Sequence, residues 1–177
     1  MAVAQTYTGT IPEFFTSVMN NVAEVLWQAN VLTGVFFVRG VLVASRIDFL
    51  SAVVTSVLAT GLAIAFGLSK DSTLIGIYGY NAVLLMLVLF GRGYAMSVRN
   101  YIFSLVMSML TILVSVWLSS IFAPLGIPVA AFPYVIFAIL ALAAREPLKG
   151  LTWIDPLKWG VPETIAQTLK KEKKQAS

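Results

Sequence analysis

The sequence predicts an all-α integral membrane protein of about five transmembrane helices plus a short re-entrant pore-type helix. Hydrophobic residues make up 59% of the chain and charged residues only 11%. Mean hydropathy is +0.89, and the apolar runs approach the roughly 20 residues that crossing a bilayer requires. Two stretches inside this apolar sequence, residues 24–34 and 76–84, nevertheless carry polar groups that hydrocarbon rejects. Those two stretches are where a functional site is expected.

Residues 1–20 hold no Lys or Arg and no long apolar core, so a signal peptide is not expected at this end. Ile11, Phe14, Phe15 and Val18 instead mark one face of a short amphipathic helix with Pro12 in its first turn. That helix is expected to lie in the membrane interface as a segment over residues 1–22. It leads into a short helical segment bearing Glu24, with Trp27 three residues on and on the same face. A lone charge at bilayer depth costs roughly 2.5–3.5 kcal/mol on insertion scales, so Glu24 must face protein, a partner or water.

Five apolar spans follow, over residues 31–45, 49–68, 74–90, 102–122 and 129–144. The first contains Arg39, whose guanidinium must find a carboxylate, carbonyls, a neighbouring protein or the interface. In the second, Ser51, Thr55, Ala59, Ala63 and Gly67 recur every four residues. Ser104, Ser108, Thr111, Ser115 and Ser119 trace a similar face on the fourth. Such small faces let helices approach closely in lipid, and packing is their expected role. Asp71 or Ser72 is expected to cap the third span. Within it, Gly76 and Gly79 are expected to clear space for Tyr80 and Asn81. Pro128 and Pro133 bracket the start of the fifth, which should be bent or discontinuous.

Beyond the membrane domain of residues 23–145, residues 146–177 turn amphipathic and basic. Trp153, Lys158 and Trp159 are expected to anchor at headgroup level. Val161, Ile165 and Leu169 share a face of a terminal helix that Pro162 can start. The run from Lys170 to Lys174 is expected to be disordered and close to anionic headgroups.

The composition also excludes function classes. The chain has no Cys and no His, so thiolate nucleophiles, imidazole proton relays and His-ligated haem are ruled out. No metal or other cofactor is implied. Only eight Asp and Glu residues are present, and they form no evident catalytic set, so no enzyme is expected. The net charge of +4 comes largely from the terminal lysines and does not predict nucleic-acid binding. Five spans place the termini on opposite sides, with Arg46, Arg92, Arg99, Arg145, Lys149, Lys158 and the terminal lysines on one side and Lys70 on the other. The positive-inside rule then predicts a multi-pass protein of the cell (inner) membrane with its N-terminus outside and its C-terminus in the cytoplasm.

Three motifs in order give a resemblance. Glu24-Val25-Leu26-Trp27 followed by Asn30-Val-Leu-Thr-Gly34, then Gly76-Ile-Tyr-Gly-Tyr-Asn-Ala-Val-Leu84, then Ile127-Pro-Val-Ala-Ala-Phe-Pro-Tyr134 together resemble one half of a urea transporter. The resemblance implies five spans plus a pore helix. Members of that family carry two such halves in inverted orientation, enclose a passive pore for urea between them and assemble as trimers. Carried over by position, the pore residues are Glu24, Val25, Trp27, Tyr80, Asn81 and Leu84. Glu24 becomes the hydrogen-bond acceptor, Trp27 and Tyr80 the walls of a slot, and Leu84 a hydrophobic constriction. Several positions depart from the family pattern. Ala131 replaces a pore threonine, Ala82 and Met86 replace glycines in a way expected to crowd the third span, and Arg39 enters a span that is apolar in relatives. One half is present. The implied function is a passive channel for urea or small amides within a homo- or hetero-oligomer. The alternative is a non-conducting accessory or scaffold subunit of a larger membrane complex.

Overall fold

A computed structural model describes residues 10–143, 150–155 and 160–175. Among them the chain forms eight α-helices and no strand. Thr10 starts α1 (Ile11–Ala23) with a capping box: its hydroxyl accepts from the Glu13 N–H, and the Glu13 carboxylate accepts from the Thr10 N–H. Only the first turns of α1 are open, with Ile11 and Phe15 exposed, and every residue from Ser17 to Ala23 is buried. The helix packs on α2, α3 and α5. The second half of α1 is thus part of the bundle, and the helix runs unbroken through residues 22 and 23. The reason is polar: Ser56 donates to the Val18 carbonyl at 2.6 Å, and the Asn21 amide donates to Thr60 at 2.9 Å. These bonds reward α1 for entering the bundle.

A 3-10 turn, Glu24–Leu26, extends α1, and Trp27 ends it in the left-handed region at φ 57°. Asn30 then caps α2 (Val31–Ala44), its side-chain oxygen accepting from Leu32 and Thr33. The α1 unit and α2 meet at 72° as a broken span or re-entrant loop. Gly34 sits where α2 touches the Met19 backbone, a contact that leaves no room for a side chain. The Glu24 turn thus closes the 13-residue helix α1, where the sequence suggested a separate short helix.

Ser45 alone links α2 to α3 (Arg46–Ala65), and its hydroxyl caps the Asp48 N–H. The small face of α3 is buried at Ser51, Thr55, Ala59 and Ala63, as a packing stripe should be. The third apolar stretch is broken where one continuous helix was expected. α4 (Lys70–Leu74) begins ahead of the predicted Asp71 or Ser72 cap, residues 75–79 form turns, and α5 (Tyr80–Leu89) follows. Gly76 adopts φ 87°, which no continuous helix permits. Ala82 and Met86 are fully buried on α5, which packs on α3 and α6.

α6 (Val98–Phe122) is capped by Ser97, and α7 (Phe132–Ala143) starts beside Pro133. Two helices, α3 and α6 with its 3-10 extension, are long and apolar enough to cross a membrane; the bent α1–α2 pair makes a third if it is one span. α5 and α7 have 10 and 12 residues. At 1.5 Å per residue they rise about 15–18 Å, half of a bilayer core. Of the five predicted spans, 31–45, 49–68 and 102–122 each fall largely on one helix, the third is broken by turns at residues 75–79, and the fifth is helical only from Phe132.

The end of the bundle where α3 and α6 begin is tied by charge and aromatic packing. Arg92 grips Asp48 bidentately, at 2.8 and 2.5 Å, and also donates to the Leu87 carbonyl. Tyr94 is fully buried, donates to the Ala141 carbonyl, and stacks edge-on with Phe103 and Trp153. Trp153 is half-buried against Tyr94 at this end of the bundle, while Lys158 and Trp159 lie outside the described residues. α8 (Pro162–Gln175) begins at Pro162 as expected and continues through the basic run that was expected to be disordered. Its buried Ile165 and the Glu163 carboxylate dock it: Glu163 accepts from the Ser45 hydroxyl and the Ile47 N–H.

Candidate functional site

Four segments far apart in sequence converge on a cavity of about 390 Å³. They are the turn between α1 and α2, the start of α5, the last third of α6 and the loop before α7. Each arrives there for a local reason. The 3-10 turn at the end of α1 projects Glu24 inward. The left-handed Trp27 borders the cavity while remaining 64% exposed. The turn at Gly76–Gly79 lets α5 start deep in the bundle, bringing Tyr80 opposite Trp27. The ring centroids are 6.2 Å apart with planes inclined by 53°. The two rings form a tilted pair at one edge of the cavity rather than a parallel slot.

The space at the two glycines goes to α1. A Cβ on Gly76 would meet the backbone of Asn20, and one on Gly79 would meet the Asn21 side chain. They were expected to make room for Tyr80 and Asn81; they make room for the asparagines that hold α1 in place.

Of the predicted site residues, Glu24, Trp27, Tyr80 and Asn81 line the cavity. Val25 and Leu84 are half-buried and are not among its lining residues. Leu84 lies one helical turn beyond Tyr80 on the same face of α5. Asn81 has a structural task as well. Its Nδ2 donates to the Ala130 carbonyl at 3.2 Å, and its Oδ1 accepts from the Tyr134 N–H at 3.3 Å. It thereby caps α7 from another helix and clamps the preceding loop, in which Ala130 is left-handed at φ 48°.

The Glu24 carboxylate makes no hydrogen bond or ion pair among the described residues. Arg39 is exposed on α2 and likewise has no such partner there, so these two residues do not neutralise each other. Ser115 and Ser119 also line the cavity, although their spacing predicted packing alone. The stripe is buried from Ser104 through Ser115, and its last two members, Ser115 and Ser119, border the cavity. Ser115 donates its single proton to the Thr111 carbonyl at 2.7 Å, so it turns lone pairs to the cavity. Sequence spacing could have flagged the stripe but not where its packing ends.

Among the described residues no cluster of His, Cys, Asp and Glu could hold a metal ion. The family model described as "UT: Urea transporter" matches residues 1–146. The match takes in every helix from α1 to α7 and stops ahead of α8.

Proposed function

Because the chain belongs to the urea transporter family, a family of transporters and not enzymes, we propose that the cavity is one wall of a passive path for urea or small amides. The observation that carries the reading is the convergence of Glu24, Trp27 and Tyr80 on one cavity of about 390 Å³. An amide leaving water loses roughly 2–7 kcal/mol unless hydrogen bonds replace those it gives up. Glu24 and Ser115 supply acceptors for its N–H groups, and the aromatic faces favour a flat guest. Val25 and Leu84 belong to the path beyond the cavity, with Leu84 as its constriction. Asn81 holds the α7 loop that forms the far wall.

The protein is a multi-pass membrane protein. We place it in the cell (inner) membrane, N-terminus outside and C-terminus in the cytoplasm, from the distribution of its basic residues. The conducting domain takes in residues 23–145 together with the buried α1, and residues 146–177 form a basic extension. With its mouth open beside the exposed Trp27, the path is completed by a second chain in a homo- or hetero-oligomer.

A second reading has its own support: Ala131 offers no hydroxyl, and neither Val25 nor Leu84 reaches the cavity. These favour a non-conducting accessory subunit. Urea uptake by proteoliposomes holding only this chain separates the two. Uptake well above protein-free vesicles, reduced at least tenfold by Tyr80→Ala, is the expected result. Background uptake by a folded, reconstituted chain that co-purifies with another membrane protein would instead establish the subunit role.

A further inference from the structure

Urea is neutral, yet the cavity presents an unneutralised carboxylate. Among the described residues, the other charges near the bundle are answered or turned away. Arg92 holds Asp48, Lys70 holds Glu13 at 2.6 Å, Arg99 donates to the Gly150 carbonyl, and Arg39 faces outward. Glu24 alone reaches into an apolar-walled cavity with no cation beside it among the described residues. We propose that this cavity binds planar, N–H-rich cations of the guanidinium and amidinium class. The proposal rests on the reading of the cavity as a small-molecule path and names a further class of guest for it.

Three features favour that class over a neutral amide or a spherical cation. The first is charge: a cationic guest neutralises a carboxylate that stands among apolar walls with no cation beside it. The second is the balance of hydrogen-bonding groups. Ser115 has spent its proton on Thr111, and Asn81 has turned its amide to Ala130 and Tyr134. The Glu24 carboxylate and the Ser115 hydroxyl oxygen are then left as acceptors, and a guanidinium offers donors around its whole rim. Two parallel N–H groups on one edge also match a carboxylate bidentately. The third is shape. A flat cation can lie against the exposed Trp27 face while its edge meets Glu24, and Trp is the strongest cation–π partner among the side chains. Sodium has no N–H groups, and ammonium has no plane to stack.

Calorimetric titration of the purified full chain tests this, using guanidinium chloride and formamidinium chloride at millimolar, non-denaturing concentrations and constant ionic strength. Saturable binding of both is expected, with no saturable heat from ammonium or sodium chloride over the same range. Glu24→Gln should weaken binding at least tenfold. The exchange is isosteric at a side chain with no hydrogen bond to lose. Trp27→Leu, at an exposed ring, should weaken binding severalfold and serves as the second variant. Unchanged affinity in Glu24→Gln, or ammonium binding as tightly as guanidinium, would overturn the proposal. Urea uptake measured on the same preparation keeps the two readings apart. Uptake without guanidinium binding removes this inference and leaves the urea path standing. Guanidinium binding without uptake removes the urea path and keeps the cation site.

Discussion

Asn81 illustrates how one side chain takes on a task that its neighbours in sequence do not announce. In a Gly-Tyr-Asn context inside an apolar run it looks like a ligand-binding amide. In the fold it satisfies the Tyr134 N–H at the start of α7 and the carbonyl of a strained Ala130. An unsatisfied buried polar group costs about 1–3 kcal/mol. Asn81→Leu keeps the volume but strips both partners, and should lower stability by about that amount. Thermal unfolding in detergent measures it. An unchanged midpoint would mean that the amide is not engaged as described. Glu24 shows the opposite case, a charge for which the protein supplies no partner among the described residues, which makes it the residue most open to a guest.

At the level of elements, the docking of α8 depends on a carboxylate. Burial pushes the Glu163 carboxyl up, but hydrogen bonds from its own backbone, the Ser45 hydroxyl and the Ile47 and Arg46 N–H groups outweigh it, leaving it below its ordinary value of 4.5. A carboxyl lowered in the folded state contributes stability that is present above the unfolded value and lost as pH falls through the folded one. The α8 contact should therefore be intact at neutral pH and weaken in acid, below about pH 4.5. Hydrogen exchange of residues 162–175 against pH reads this directly. Glu163→Gln should raise exchange at neutral pH and abolish the acid-dependent step. Equal acid dependence in wild type and variant would assign the step to another group. The α4–α5 break belongs to this scale too. Gly76 permits the turn, and Asn20 secures it by donating to the Leu74 carbonyl at 2.7 Å.

For the whole molecule, the described charges sort by end. Asp48–Arg92, Arg99–Gly150 and Glu163 gather where α3 and α6 begin, while Lys70–Glu13 joins α4 to the start of α1. The proposed orientation follows from that asymmetry. The chain has no cysteine, so single cysteines replacing Gln5 and Gln175 can be probed cleanly in intact cells. An impermeant thiol reagent should label position 5 from outside and position 175 only after permeabilisation. Labelling of both from outside would demonstrate dual topology and make an inverted homodimer the way the path is completed.

Sequence by itself determined the features that depend on near neighbours. Capping side chains at Thr10, Asn30, Ser45 and Ser97 and the fixed backbone of Pro162 start helices wherever the chain goes next. Composition and apolar run length set the membrane class, and motif order carried the family. Tertiary structure decided what depends on contacts between distant segments. A Gly in an apolar run can pack helices or turn the chain, and only the approach of Asn20 fixes Gly76 as a turn. A serine stripe reads the same along its length, and only the neighbours of α6 separate Ser104 in the packing from Ser119 in the cavity. Amphipathic spacing could not tell that α1 would be buried, because its hydrogen bonds to Ser56 and Thr60 join residues 35 to 39 positions apart in the chain. Periodicity records the face a helix offers; which surface meets that face is settled by packing energy over the whole bundle.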